Sequence, residues 1–445
     1  MTSLNQPLPP PPEYQKRPNN GLLKRVGRRN LAIAISAVIF AIGAGILAWQ
    51  IIAGVGQDAF LVGTVAAFIP APLLVGTFVW LGRHKGRPWM LLGFCFLWGA
   101  CVATAISLGV NTGFAYLVRD AEAGAVLPAV ISAPIIEEVT KFAGPLLVYF
   151  LARRYFNGFL DAIVYCGLSA AGFAIAENIL YASGIYLQGT EMFDERAGLA
   201  LVTNLVLFRG LVTMFAHPLF TGFIAIGMGV AAARRNRGSK NFFWMAGGVV
   251  AAMGLHALWN GSIFLLEALG YPEGWFGIYL GFMMPLFFTM VGFALWMRAR
   301  EARRSELLLR PYVAAGWMSP PEVASLATYT RRSSARAWAL RVAGSAGQKG
   351  MRQFQQVSDE LADLRRRCRL GYRLDEQEES RLLTDLRQAR SEYAGRDPYM
   401  PQATWDGRKY HVTFPDGEVR ALAAPNDPVM PVPLAKPAEY SQPYA

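Results

Sequence analysis

Hydrophobic positions in this chain fall in long unbroken runs rather than in the short alternations of a soluble amphipathic fold. Eight runs, at 31–53, 60–81, 88–110, 125–151, 159–187, 199–233, 242–266 and 275–296, reach the roughly 20 apolar residues a helix needs to cross a bilayer. A helix satisfies its backbone groups internally, which an open strand in lipid cannot do. The pattern therefore predicts an all-α, polytopic membrane helix bundle of about eight transmembrane helices. The sixth run is overlong: about 35 residues, or roughly 52 Å at 1.5 Å per residue, against a hydrocarbon core near 30 Å. It is expected as one long helix, tilted or kinked at Pro218.

Composition supports this reading. Hydrophobic residues make up 53% of the chain and charged residues 17%, where soluble domains carry roughly 25% charged. Cys95, Cys101, Cys166 and Cys368 are scattered, which excludes a disulfide framework and a CxxC metal site. The net charge of +12 would suggest nucleic acid if it formed one patch, but it lies between and after the apolar runs. Basic flanks (Lys24 to Arg29; Arg83, Lys85, Arg87; Arg153, Arg154; Arg234 to Lys240; Arg298 to Arg304) alternate with acidic or nearly uncharged ones. Lys and Arg mark cytoplasmic loops. Both termini are therefore expected in the cytoplasm of a multi-pass cell-membrane protein. The first run is read as a permanent span, because it exceeds the usual apolar core of a cleaved signal and some 30 residues precede it.

Four regions follow. Residues 1–30, with LPPPPEY, are expected as a disordered, partly polyproline cytoplasmic segment. The transmembrane domain occupies 31–298. Residues 299–396 are Arg-rich with helical patterning, including 357–370 and 376–393, and Ser319 before Pro320 and Pro321 marks a helix start. This region reads as a basic helical cytoplasmic tail lying near anionic lipid. It lacks the aromatic interleaving of a nucleic-acid module, so no nucleic-acid partner is expected. Residues 397–445 form a flexible tail rich in Pro and Tyr.

The chemistry lies in polar residues that the bilayer disfavours, each costing about 2.5 to 3.5 kcal/mol at mid-span when charged. The fourth run holds Glu137, Glu138 and Lys141, the fifth Glu177 and Asn178, the sixth Arg209 and His217, and the seventh His256 and Asn260. Counted from the cytoplasmic ends, Glu137 and His256 lie about 21 Å deep, His217 about 24 Å, and Glu177 and Asn260 about 27 Å, so the set can meet in one layer. Glu137 with Lys141, Phe173 with Glu177, and His256 with Asn260 are four apart and share helix faces.

Carboxylates in an apolar cavity suit the activation of water. Imidazole and carboxylate are also the ligands of catalytic zinc, so His217, His256 and Glu177 are candidate ligands for one divalent metal, Zn2+ foremost. Asn260 can donate to an oxyanion, and Lys141 neutralises the glutamate pair. Asn178 and Arg209 are read as supporting. His84 and His411 lie in a loop and in the tail and are read as uninvolved. Together these parts describe a peptide-bond hydrolase.

The ordered set EEVTK (137–141), FAIAEN (173–178), Arg209 with His217, and HALWN (256–260) resembles the PrsW family of bacterial intramembrane metalloproteases and, distantly, the CAAX prenyl endopeptidase superfamily. The likeness covers about 125–264. It implies cleavage of membrane-protein substrates, such as single-span proteins, within or beside the bilayer, in regulated proteolysis of signalling proteins such as anti-sigma factors. It also implies Glu137 as general base, Glu138 in support, and His256 and Asn260 polarising the carbonyl. Glu177 stands where the prenyl endopeptidases have histidine, so a prenyl-protein substrate does not carry over. Two other readings remain: a proton- or ion-coupled transporter, and a membrane scaffold with a partner-binding tail.

Overall fold

The computed structural model describes residues 20–396 apart from 84–86, 122–123, 125, 235–237, 315–316, 319, 370–373 and 395, together with 403–405, 409–413 and 419–423. The polyproline segment, His84, Ser319 and most of the Pro/Tyr-rich tail lie outside the described residues.

The membrane part is built from α1 (Asn20–Val55), α2 (Gln57–Phe68), α3 (Ala71–Gly82), α4 (Trp89–Val118), α5 (Ala133–Leu151), α6 (Phe159–Met192), α7 (Glu195–Leu205), α8 (Ala216–Ala233), α9 (Gly238–Ala268) and α10 (Met284–Ala314). Among the described residues six helices are long and apolar enough to cross a membrane, and a seventh span is counted if α2 and α3, bent by 41°, are one. The chain is a multi-pass membrane protein. The run expected as the fourth span falls outside that count. Its helix α5 is continuous with a π-turn at Pro128–Ser132 but carries Glu137, Glu138 and Lys141, too much charge for an ordinary lipid-facing span.

Three local differences from the expected pattern have physical causes. Helix α1 begins inside the segment expected to be disordered, because helix extends cheaply from an established apolar span. The second run bends at Ile69–Pro70, where Pro70 and Pro72 lack the amide hydrogens that would continue the ladder. The overlong sixth run is interrupted ahead of Pro218: a π-turn at Val206–Val212 and non-helical residues 213–215 separate α7 from α8. Pro218 then sits in the first turn of α8, where its missing amide hydrogen costs nothing.

Helix α6 is the axis of the bundle. Its most apolar stretch is 94% buried by protein, and α2, α3, α4, α5 and α8 pack around it. Backbones meet closely where α4 crosses it: a Cβ on Gly99 would lie 1.9 Å from the Ser169 carbonyl oxygen, and one on Gly172 would lie 2.1 Å from that of Phe96. Small residues allow such contact where no hydrophobic drive between lipid-embedded helices is available. Helix α8 runs alongside both α6 and α9.

Beyond the bundle lies a second core. Helix α10 continues to Ala314, and α11 (Tyr329–Arg369, kinked at Ala343 and Gly344) and α12 (Glu376–Ser391) fold against it. Leu309, Tyr312, Trp317, Phe354, Leu361 and Leu383 are almost fully buried there. Arg332 pairs with Asp359 through two bonds of 2.7 and 2.6 Å, and Arg365 reaches Glu379 at 2.9 Å. The Asp375 side chain caps α12 by accepting from the Glu378 amide. Within the segment expected to be loose, three antiparallel strands, β1 (Ala403–Trp405), β2 (Lys409–Thr413) and β3 (Val419–Ala423), pair with Ala403 opposite Val412 and Lys409 opposite Ala423. His411 lies in β2 and is not among the residues that line the bundle cavity.

Replacing Gly172 with valine should separate α4 from α6 and destabilise the detergent-solubilised protein by about 1 to 3 kcal/mol, the range typical of overpacking, read out as a lower melting temperature. An unchanged melting curve would show that the backbones can move apart freely.

Candidate active site

The polar residues singled out in four runs converge. A cavity of about 110 Å³ is lined by Glu137, Glu177, Asn178, Arg209, His217, His256 and Asn260, with Pro70 and Ala71 from the α2–α3 bend and Thr213 and Met214 from the α7–α8 break. The two backbone interruptions thus flank the chemistry, in keeping with the rule that irregular backbone at membrane depth survives only in protein or beside a cavity.

Lys141 anchors the cluster. It is fully buried, and its Nζ lies 2.6 Å from Glu138 Oε1 and 3.6 Å from Glu137 Oε2. It also donates to His217 Nδ1 at 3.1 Å and sits 4.3 Å from the centre of the Phe173 ring. Spacings of three and four residues along α5 bring both carboxylates to this one ammonium.

The two adjacent glutamates have different surroundings. Glu138 is saturated: besides Lys141, it accepts from Thr221 Oγ1 at 2.9 Å and from His256 Nδ1 at 3.1 Å. Glu137 is not. Its Oε1 takes only a long 3.5 Å bond from Asn111 Nδ2, and its Oε2 is buried without a hydrogen-bond partner. With the Nδ1 hydrogen of His256 given to Glu138, the lone pair of His256 Nε2 is left facing Glu137 Oε2 at 3.9 Å. Two acceptors thus confront each other across a gap that a donor or a cation would fill.

A second ion pair closes the other side. Glu177 Oε2 accepts from Arg209 Nη2 at 2.5 Å and from His217 Nε2 at 2.8 Å. Asn178 Oδ1 accepts from Arg209 Nε at 3.1 Å, and the guanidinium lies 4.0 Å from the centre of the Tyr181 ring. Arg209 stands on the π-turn at Val206–Val212, a distortion that often marks functional positions. Asn260 is in the cavity, but its Nδ2 is committed to the Ala129 carbonyl at 2.8 Å. It must leave that carbonyl before it can serve an oxyanion.

For a metal, the geometry selects a set that differs from the expected one. Among the described residues, Glu137, His217 and His256 bring ligand atoms within 4.8 Å of one another. Glu177, expected as a ligand, is instead held by Arg209 and His217, and Glu137 takes its place. The unpartnered Glu137 Oε2 and the open His256 Nε2 suit a cation, and Glu138 on His256 Nδ1 is the carboxylate–histidine support typical of metal ligands.

Two contributors were missed from the sequence. Thr221 is one turn beyond His217, so the same face-sharing rule could have found it. Asn111 is a polar residue just past the end of the third run, within α4; it donates toward Glu137 and accepts from Ser132 at 2.7 Å.

Fold and site together define a helical membrane protein with a buried carboxylate, imidazole and lysine centre. Residues 87–291 match the model of the PrsW family intramembrane metalloproteases, so the resemblance carried by the motifs extends over most of the bundle. Protease PrsW of Clostridioides difficile (strain 630) is 29% identical over 174 residues, 38% of this chain and 66% of that protein. The chain thus spans slightly less than two thirds of that relative's length. No solved structure gives a significant match.

Substituting methionine for Lys141 should leave two buried carboxylates without their cation, a loss of about 3 to 5 kcal/mol. Thermal melts in detergent should show a marked fall, whereas Glu137→Gln should melt near wild type. Equal melting of Lys141→Met and wild type would show that the lysine is not the cluster's counter-ion.

Proposed function

We propose that the chain is an intramembrane endopeptidase that hydrolyses peptide bonds of membrane proteins, single-span proteins foremost. The observation that carries this is the unpartnered Glu137 Oε2 opposite the open His256 Nε2. That pair of acceptors can hold and deprotonate a water beside a peptide carbonyl. Glu138 fixes the tautomer and orientation of His256, and Lys141 keeps the two glutamates compatible in a low dielectric. Asn178 positions Arg209, which holds Glu177, and Glu177 in turn orients His217. Asn260, released from Ala129, would donate to the oxyanion.

Glu137 and His256 would hold one divalent cation, Zn2+ by donor type, with His217 as third ligand once its Nδ1 gives up the Lys141 ammonium. Such an ion would supply Lewis acidity to the carbonyl and lower the pKa of water. Glu137 stands next to the nucleophile in either case, as the acceptor of its proton or as a ligand.

The topology proposed with this function has eight crossings, with α5 as the span whose charge is hidden by the bundle, and both termini in the cytoplasm of the cell membrane. The C-terminal helical domain is then cytoplasmic, where regulated proteolysis of signalling proteins such as anti-sigma factors would be controlled.

Expressed at matched levels, wild type should generate new termini in single-span membrane proteins, and Glu137→Gln or His256→Ala should abolish them, a loss of at least about 100-fold, with abundance unchanged. Terminal proteomics of membrane and secreted fractions reads this out. Identical profiles from the three folded proteins would remove the peptidase reading in favour of transport or scaffolding. Metal analysis of the purified protein should give roughly one zinc per chain, reduced in His217→Ala and His256→Ala. Equal, negligible zinc in all three would leave a metal-free, glutamate-activated water.

A further inference from the structure

A larger cavity, about 690 Å³, lies between α5 and α9 and shares no lining residue with the catalytic cavity. Its walls are apolar: Phe142, Leu146 and Phe150 from α5, Phe242 and Met245 from α9. Phe150 and Phe242 are 65% and 68% exposed, so the groove is open at its side rather than sealed. One end is polar. Arg153 and Arg234 line it, and no carboxylate does among the described residues. Asn241 stands beside them with its Oδ1 buried and without a hydrogen-bond partner.

The two arginines are presented rather than spent on acids. Arg153 is braced by the carbonyls of Phe156 and Ala232 and lies 4.5 Å from the centre of the Tyr149 ring. Arg234 lies 4.9 Å from the centre of the Trp244 ring. From Phe142 to the end of α5 at Leu151 is about 13 Å of helix, close to half of the roughly 30 Å hydrocarbon thickness. The groove therefore has the depth of one leaflet, with cations and aromatic rings at its mouth and hydrocarbon walls below. Basic pockets between membrane helices with this arrangement suit phosphate headgroups.

We propose that this groove binds a glycerophospholipid with an anionic headgroup, its phosphate between Arg153 and Arg234, a headgroup hydroxyl donating to Asn241, and one acyl chain along Phe142, Leu146 and Met245. The site does not depend on the peptidase reading. The two would meet structurally, since Phe142 follows Lys141 directly and α9 also carries His256. A lipid seated here would brace the pair of helices that Glu138 and His256 tie together.

The test is native mass spectrometry of the full chain in detergent, with dioleoylphosphatidylglycerol or dioleoylphosphatidylcholine added stepwise. Wild type should retain one phosphatidylglycerol in preference to phosphatidylcholine, by roughly fivefold per arginine engaged. Arg234→Gln, which among the described residues removes only a ring contact with Trp244, should reduce that preference by about fivefold. Ala246→Trp, which fills the groove and leaves both arginines in place, should abolish retention. Displacement of the lipid by glycerol 1-phosphate alone would indicate a soluble phosphate site and overturn the lipid assignment. Equal retention of the two lipids by wild type and Arg234→Gln would reduce the groove to ordinary annular contact and also overturn it. Should Ala246→Trp misfold, Arg234→Gln decides by itself.

Discussion

A lysine without any exposed surface, in the middle of a membrane bundle, is the constraint around which this molecule is arranged. An ammonium in hydrocarbon is tolerated only when its charge is matched and its donors are used. Lys141 achieves both by touching Glu137, Glu138 and His217 at once. That requirement ties α5 to α8, and through Glu138 and His256 it ties α5 to α9. In this arrangement three carboxylates, Glu137, Glu138 and Glu177, share two cations, Lys141 and Arg209.

The same constraint separates neighbouring side chains by role. Glu138 and Glu137 are adjacent in sequence, but one points into a complete set of donors and the other toward an imidazole lone pair. The bundle uses the first to set geometry and leaves the second with unspent basicity. A centre assembled from fully satisfied groups would be stable and inert, so chemistry requires one position where satisfaction is withheld. In this cluster the buried carboxylate oxygen without a hydrogen bond is Glu137 Oε2, in a cavity lined by both backbone interruptions.

Much of this could be read from the chain. Long apolar runs fixed the helices, and intramembrane polar residues at spacings of four marked the faces that meet, since a bilayer makes every charge conspicuous. Depth counting put Glu137, His217 and His256 within one layer, and the structure brings them within ligand distance. Hydropathy averages could not reveal the bend at Pro70 or the break at 213–215, because neither lowers hydrophobicity. Nor could spacing tell which glutamate would be saturated: the partners, Thr221 and Asn111, come from other helices, and their approach is decided by packing. Spacing likewise could not show that Glu177 would be paired with Arg209, which stands on a π-turn. The strands at 403–423 went unseen because they are short and lie in a Pro-rich context that resembles loop.

Helix α10 runs from the bundle into the C-terminal core as a single helix, 31 residues from Met284 to Ala314 with Pro311 only in its last turn, about 46 Å long. Leu309 and Tyr312 at its far end are locked into that core. An α-helix resists bending and twisting far better than a loop of the same length, so no slack exists between the two parts. Whatever force a partner applies to the C-terminal domain arrives in the bundle as torque on its last span, as along a drive shaft.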